Sequence, residues 1–209
     1  MVVPPLFHRR QGRSVTHIRE SKAAIRQQLR QARIEHATGL PGAVSALVFR
    51  RPPAPVLAML PDNAVIGLYR AVEGEAPAAG YARYFAEAGY RIALPRIEGP
   101  GAPMHFHAHT DPFGESDLFE GPMKLMQPPE DAAKLVPNVV FVPLVGFTER
   151  GERLGQGGGF YDRWLAEHPE AVAIGLAWDV QLVDELPLEP HDRSLTAIVT
   201  PTRIYGPFA

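Results

Sequence analysis

The sequence predicts a single α/β domain with a central, mostly parallel sheet and helices on both faces. Short apolar and β-branched runs alternate with helix-forming segments, the order that yields parallel strands joined by helical crossovers. The run Val139-Val140-Phe141-Val142-Pro143-Leu144-Val145 is apolar throughout, as a strand buried on both faces must be. With 209 residues and 45% hydrophobic content, the chain has the size and the material for one large core.

The first clear element is a helix over residues 21–33, with Ser21 as its N-cap. Ile25, Leu29 and Ala32 recur at helical spacing, and Lys22, Arg26, Arg30 and Arg33 form a basic row beside them. By position alone that row reads as a solvated face. The Pro-rich stretch 51–55 breaks the chain. Strands are expected over 56–60 and 64–69, a helix over 78–88 ended by Gly89, and a short strand over 91–94 closed by Pro95. Residues 105–118 read as a strand followed by a loop, and 121–134 as a connection. The buried strand 139–145 follows, then a helix over 160–167, a strand over 172–177, a helical turn over 181–186 and a last strand over 197–199. His105, His107 and His109 alternate as on a strand face, which suits strand packing better than a metal.

Composition excludes several classes. The absence of cysteine removes disulfides, thiolate metal sites and a cysteine nucleophile. A formal net charge of −2 gives no electrostatic bias toward nucleic acid or anionic membranes. No apolar run approaches the roughly 20 residues that span a bilayer. Residues 1–20 carry Arg9, Arg10, Arg13 and Arg19 without an apolar stretch behind them. They read as a flexible N-terminal extension, a transit peptide being the other reading, and residues 21–209 as the domain.

The segment from Arg150 to Arg163 carries the chemistry. It follows the buried strand and precedes a helix, where ligands bind in open α/β sheets. Gly155, Gly157, Gly158 and Gly159 let backbone approach a phosphate chain closely, and amides at a helix start favour an anion. Arg153 and Arg163 add positive charge. An isolated turn of this kind also reads as a tight left-handed turn, and no Lys-Ser/Thr follows to make it a P-loop. A second segment, residues 181–192, ends in His191-Asp192. Asp192 and Asp162 together offer hard oxygen ligands suited to Mg²⁺, the alternative being a turn or cap.

Pro143-Leu144-Val145 through Arg153-Leu154-Gly155-Gln156-Gly157-Gly158-Gly159-Phe160-Tyr161-Asp162-Arg163 closely resembles the signature of the 5-formyltetrahydrofolate cyclo-ligases. So does Gly175-Leu176-Ala177-Trp178-Asp179 running into residues 181–192. The opening Lys22, Ile25, Arg26, Leu29, Arg33 pattern and Leu94-Pro95-Arg96-Ile97 are similar to the family's first helix and central element. The resemblance spans residues 22–200 in order.

The resemblance implies a cytoplasmic enzyme, a monomer or weak homodimer. It would convert 5-formyltetrahydrofolate to 5,10-methenyltetrahydrofolate with ATP as co-substrate and Mg²⁺ as cofactor. Its partners would be these small molecules, with no nucleic acid and no membrane. It implies that Lys22 and Arg26 hold ATP phosphates, and that Arg153, Leu154, Gly155, Gln156, Gly157, Gly158, Gly159, Phe160, Tyr161 and Asp162 wrap the nucleotide. Arg153 and Tyr161 would be catalytic. Glu75, Gly157, Phe160 and Tyr161 would meet the folate, and Asp162 and Asp192 the metal. The chain departs from the pattern at Gln156, where Tyr or Arg is usual. It departs again at Ala76-Pro77-Ala78, at Met104 to His109, and at Met126-Gln127-Pro128-Pro129. These departures cluster on the folate side. They leave open a paralogue that uses ATP on another amide or formamide, or a non-catalytic folate-binding protein.

Overall fold

The computed structural model describes residues 15–45 and 47–208. Helices α1 (Val15–Gly39), α2 (Gly42–Ser45) and α3 (Ala54–Leu57) precede the first strand. Strand β1 (Val65–Gly67), helix α4 (Ala79–Glu87) and strand β2 (Arg91–Ile97) form a βαβ unit, and β3 (Met104–Ala108) returns antiparallel to β2. A small hairpin of β4 (Phe119–Glu120) and β5 (Met126–Gln127) encloses a 3₁₀ turn at Pro122–Lys124, and β6 (Lys134–Leu135) pairs with β3. Then come β7 (Val139–Pro143), the hairpin β8 (Gly146–Phe147) and β9 (Arg153–Leu154), helix α5 (Phe160–Glu167) and β10 (Val172–Leu176). A 3₁₀ turn at Asp179–Gln181, β11 (Ala197–Val199) and β12 (Ile204–Tyr205) complete the chain.

The main sheet has the order β12-β11-β10-β7-β1-β2-β3-β6. Its middle five strands, β11 to β2, are parallel, while β12, β3 and β6 join antiparallel at the edges. Strand β7 is central because Val139, Val140, Phe141 and Val142 are all fully buried. The strand period of two sends Val139 and Phe141 to one face, against Tyr81 and Phe85 of α4, and Val140 and Val142 to the other, with Trp164 and Leu165 of α5. Both faces are therefore covered, as the alternating pattern predicts.

Several local expectations change. Val56 and Leu57, at the start of the strand expected over 56–60, lie instead in α3. Pro53 stands at its N-cap and Pro55 in its first turn, where a missing N–H costs nothing and a fixed φ favours the helix. Strand β2 runs through Pro95 to Ile97. Its pairing with β1 ends at Ala93, so Pro95 leaves no gap in that ladder. Helix α1 extends upstream to Val15 and downstream to Gly39, so Ser21 lies inside it and is not a cap. Residues 1–14 of the expected extension lie outside the described residues. His107 and His109 are buried by partners, Nδ1 of His107 bonding the Ala132 carbonyl and that of His109 bonding Asp117.

From β1 the chain moves outward through β2. It then returns to β7 on the other side of β1 and continues through β10 to β11. The order therefore reverses between β1 and β7, and their carboxyl ends open a crevice there.

Candidate active site

A cleft of about 980 Å³ occupies that crevice. The residues after β1 (Tyr69 to Glu75), the end of β2, the 153–162 segment and the inner face of α1 wall it in. One half is charged and the other apolar, the latter lined by Pro95, Ile97, Met104, Met123, Met126 and Pro143. The hairpin β8–β9 delivers Arg153 to the cleft floor and sends the glycine loop across its mouth. Gly159 takes φ 64° as the N-cap of α5 and Gly157 takes φ 105°, conformations that a side chain would strain.

The basic row of α1 faces the cleft, as the family resemblance implies and against the solvated face that position alone suggests. Lys22 and Arg33 are buried, and Leu29 between them packs in the core. Lys22 Nζ donates to Asp192 Oδ2 at 2.6 Å and to Glu189 Oε2 at 2.9 Å. Arg26 Nε donates to the Gly155 carbonyl at 2.9 Å. Arg30 holds the next residue twice, through the Gln156 carbonyl at 2.6 Å and its side-chain oxygen at 3.0 Å. Arg33 Nη1 donates to the Leu144 carbonyl at 3.2 Å and lies 3.7 Å from Glu75 Oε1.

On the opposite wall, Arg153 Nη2 donates to Asp162 Oδ1 at 2.7 Å. Burial lowers the Arg153 pKa, and the nearby carboxylates of Asp162 and Asp192 oppose that shift. Burial likewise lowers the pKa of Arg33, with Glu75 acting against it. Burial raises Tyr161 well above the ordinary phenol value, and Glu75 pushes the same way. Tyr69 is raised for the same two reasons. Both phenols therefore stay protonated at neutral pH and can only donate or share a proton, not carry charge.

Three buried polar atoms in this cleft lack a protein partner, namely Nε of Arg33, Nε of Arg153 and the Tyr161 hydroxyl. Leaving such groups unmet costs about 1–3 kcal/mol each, so a cleft that gathers three is built for a polar ligand.

Every site residue read from the sequence lines the cleft: Lys22, Arg26, Glu75, residues 153–162 and Asp192. Asp162 and Asp192 each engage a cation of the protein through one oxygen. Among the described residues, the potential metal-ligating groups that cluster tightly, with ligand atoms within 4.8 Å of one another, are Glu189, His191 and Asp192, without Asp162. The carboxylates of Glu189, Asp192 and Asp162 offer hard oxygen, which fits a Mg²⁺ ion that keeps most of its waters, with the exposed His191 ring beside them. Sequence reasoning missed Glu189, Tyr69, Met104, Met123 and Gln127. Glu189 lay within a segment already singled out. Met104 and Gln127 lay in stretches already assigned to the folate side by the family pattern, while Tyr69 and Met123 carried no local signal, because only the tertiary fold brings them to the cleft.

Comparison with known proteins agrees with this geometry. The model of the 5-formyltetrahydrofolate cyclo-ligase family matches residues 18–201. A 5-formyltetrahydrofolate cyclo-ligase of Escherichia coli strain K12 is 34% identical over 146 residues, covering 67% of this chain and 79% of its own. The solution structure of Aquifex aeolicus 5,10-methenyltetrahydrofolate synthetase superposes with a TM-score of 0.69 at 23% identity, over 89% of this chain and 92% of that one. A 5,10-methenyltetrahydrofolate synthetase from Mycoplasma pneumoniae gives 0.60 at 22% identity, over 85% and 96%. At these identities the two structures establish the shared fold. The family match extends over most of the chain and includes the whole cleft-forming segment, so this chain belongs to the 5-formyltetrahydrofolate cyclo-ligase family.

Proposed function

We propose that the cleft converts 5-formyltetrahydrofolate to 5,10-methenyltetrahydrofolate at the expense of ATP. The observation that carries this is the division of one cleft into a cationic, glycine-lined half and an apolar half, with the unpartnered Tyr161 hydroxyl and Arg153 Nε among its lining groups. The first half suits a phosphate chain and the second a flat ring system.

An amide-like formyl oxygen is a poor leaving group, so the reaction needs it phosphorylated. The formyl oxygen attacks the γ-phosphorus, the bond to ADP breaks, and N5 becomes an iminium carrying phosphate. N10 then attacks the formyl carbon, loses its proton, and inorganic phosphate leaves. Lys22 and Arg26 neutralise the phosphate chain, exchanging their present carboxylate and carbonyl partners for it. Arg153, held by Asp162, offers Nε to the transferred phosphoryl group. Tyr161, kept protonated by burial, donates toward the formyl oxygen. Glu75, Gly157 and Phe160 contact the pterin, and Leu154 to Asp162 enclose the nucleotide. Mg²⁺, held by Asp162 and Asp192 with the phosphates, would supply charge neutralisation.

One domain over residues 21–209, with 1–20 as an extension, would suffice for this chemistry. A cytoplasmic monomer or weak homodimer, without nucleic-acid or membrane partners, fits a small-molecule enzyme. No helix among the described residues is long and apolar enough to cross a membrane. The test is the near-ultraviolet absorbance of the methenyl product. It should rise only when protein, 5-formyltetrahydrofolate, ATP and Mg²⁺ are all present. No rise from a protein that still binds ATP would point instead to another formamide or amide acceptor.

A further inference from the structure

Gln156 is exposed, yet its side chain joins three elements that are far apart in sequence. Its amide oxygen accepts from Arg30 Nε of α1 at 3.0 Å. Its amide nitrogen donates to Glu75 Oε1, in the loop after β1, at 2.7 Å. Its own carbonyl accepts from Arg30 Nη2 at 2.6 Å. The amide orientation is dictated by its neighbours. A flipped amide would set its oxygen against a carboxylate and its NH₂ against a guanidinium, losing both bonds.

Glu75 is correspondingly tied down. Its other oxygen, Oε2, accepts from the Val72 N–H at 3.0 Å, and Arg33 lies beside Oε1. The loop that bears it is anchored in turn, since Trp178 Nε1 donates to the Gly74 carbonyl at 2.9 Å. Its side chain is only 6% exposed. A residue of the nucleotide loop thus holds the carboxylate that faces the folate half of the cleft.

We propose that Gln156 is a positioning residue that couples nucleotide binding to folate binding, through the chain Arg30–Gln156–Glu75. This rests on the assignment of the two halves above. When the glycine loop settles on a nucleotide, Gln156 is fixed, and Glu75 is presented to the pterin in one orientation.

Two variants separate this role from direct ATP contact. Gln156→Ala removes the bridge but keeps the Arg30 bond to the loop carbonyl and the Arg26 bond to Gly155. Gln156→Glu keeps the Arg30 contact but sets a second carboxylate against Glu75. Both changes are at the surface and leave the core untouched, which thermal melts verify. The readout is the affinity for 5-formyltetrahydrofolate, measured by titration calorimetry with and without Mg²⁺ and a non-hydrolysable ATP analogue. In the parent protein the nucleotide should tighten folate binding. In Gln156→Ala that tightening, read as the ratio of folate affinities with saturating and without nucleotide, should shrink by roughly tenfold, the worth of one hydrogen bond to a charged group, whatever the change in nucleotide affinity itself. Gln156→Glu should lose at least as much. Variants that retain the parent's coupling factor would overturn the proposal, as would a parent whose folate affinity ignores the nucleotide. Methenyl formation by the parent separates the two levels. A parent that turns over while the variants behave like it removes only the role of Gln156. A parent that makes no methenyl product removes the reading of the cleft as well.

Discussion

Replacing Lys22 by Met tests the charged half of the cleft most directly. Met fills a similar volume along α1 but removes the cation. The Lys22 side chain is 4% exposed, and it is bonded to Asp192 and Glu189 at 2.6 and 2.9 Å, whose side chains are 16% and 12% exposed. Removing it takes the cation they share from two close, largely buried carboxylates, and breaking a buried pair in this way costs on the order of 3 kcal/mol. Asp192 also accepts the Glu189 N–H, so the 189–192 turn itself should survive. Denaturant unfolding of Lys22→Met should therefore show a lower midpoint with little change in slope. The same substitution would remove the proposed charge-assisted contact to phosphate, worth about 1.5–3 kcal/mol, so the KM for ATP should rise roughly 10- to 100-fold. Steady-state methenyl formation across ATP concentrations reads this out. A folded variant with the parent's ATP KM would refute the assignment of Lys22 to phosphate. A variant with the parent's unfolding midpoint would refute the energetic reading of its ion pairs.

Asp162→Asn keeps the shape but weakens the bond to Arg153 and one oxygen ligand, so half-maximal activity should require several-fold more Mg²⁺; an unaltered Mg²⁺ titration would count against a metal role. Arg153→Lys cannot reproduce a planar guanidinium that serves Asp162 with one nitrogen and keeps a buried, unpartnered Nε for the proposed phosphoryl contact, and kcat/KM should fall roughly 100-fold, checked by initial rates. Phe85→Ala empties a fully buried site among Tyr81, Tyr90 and Phe141, and calorimetry should find a loss of about 3–5 kcal/mol with KM values little changed in whatever protein remains folded. His107 has its pKa lowered by burial, against the opposing bond to the Ala132 carbonyl. The unfolded state then takes up a proton first as pH falls, so stability is full above the ordinary histidine pKa of about 6.5 and declines below it toward the depressed folded value. Unfolding midpoints between neutral and mildly acidic pH should show that decline in the parent and less of it in His107→Gln.

Much of the architecture was legible from local pattern. The run 139–143 could only be an interior parallel strand, because every residue is apolar and both faces needed cover. Helix 160–167 was legible between the glycine loop and the strand over 172–177. The glycine loop announced its position after a strand and before a helix. Elements failed where local pattern was ambiguous. Residues 56–60 are apolar and read as a strand, yet Pro53 and Pro55 just before them suit a first helical turn. Pro95 ends most strands, yet it is harmless where the neighbouring strand has already stopped.

The sequence by itself determined the order of the core strands and helices, the place of the glycine loop and the family. These follow from periodicity, from glycines needed at fixed positions and from motifs contiguous along the chain. Only the tertiary structure decided which way α1 faces. A row of cations repeated at helical spacing looks the same whether it meets water or carboxylates. What turned Lys22 inward was Glu189 and Asp192, about 170 positions away in the chain. The bridge from Arg30 through Gln156 to Glu75 is of the same kind. Pairings between distant residues leave no trace in local periodicity, because they depend on the sheet bringing the carboxyl ends of β1 and β7 to one crevice.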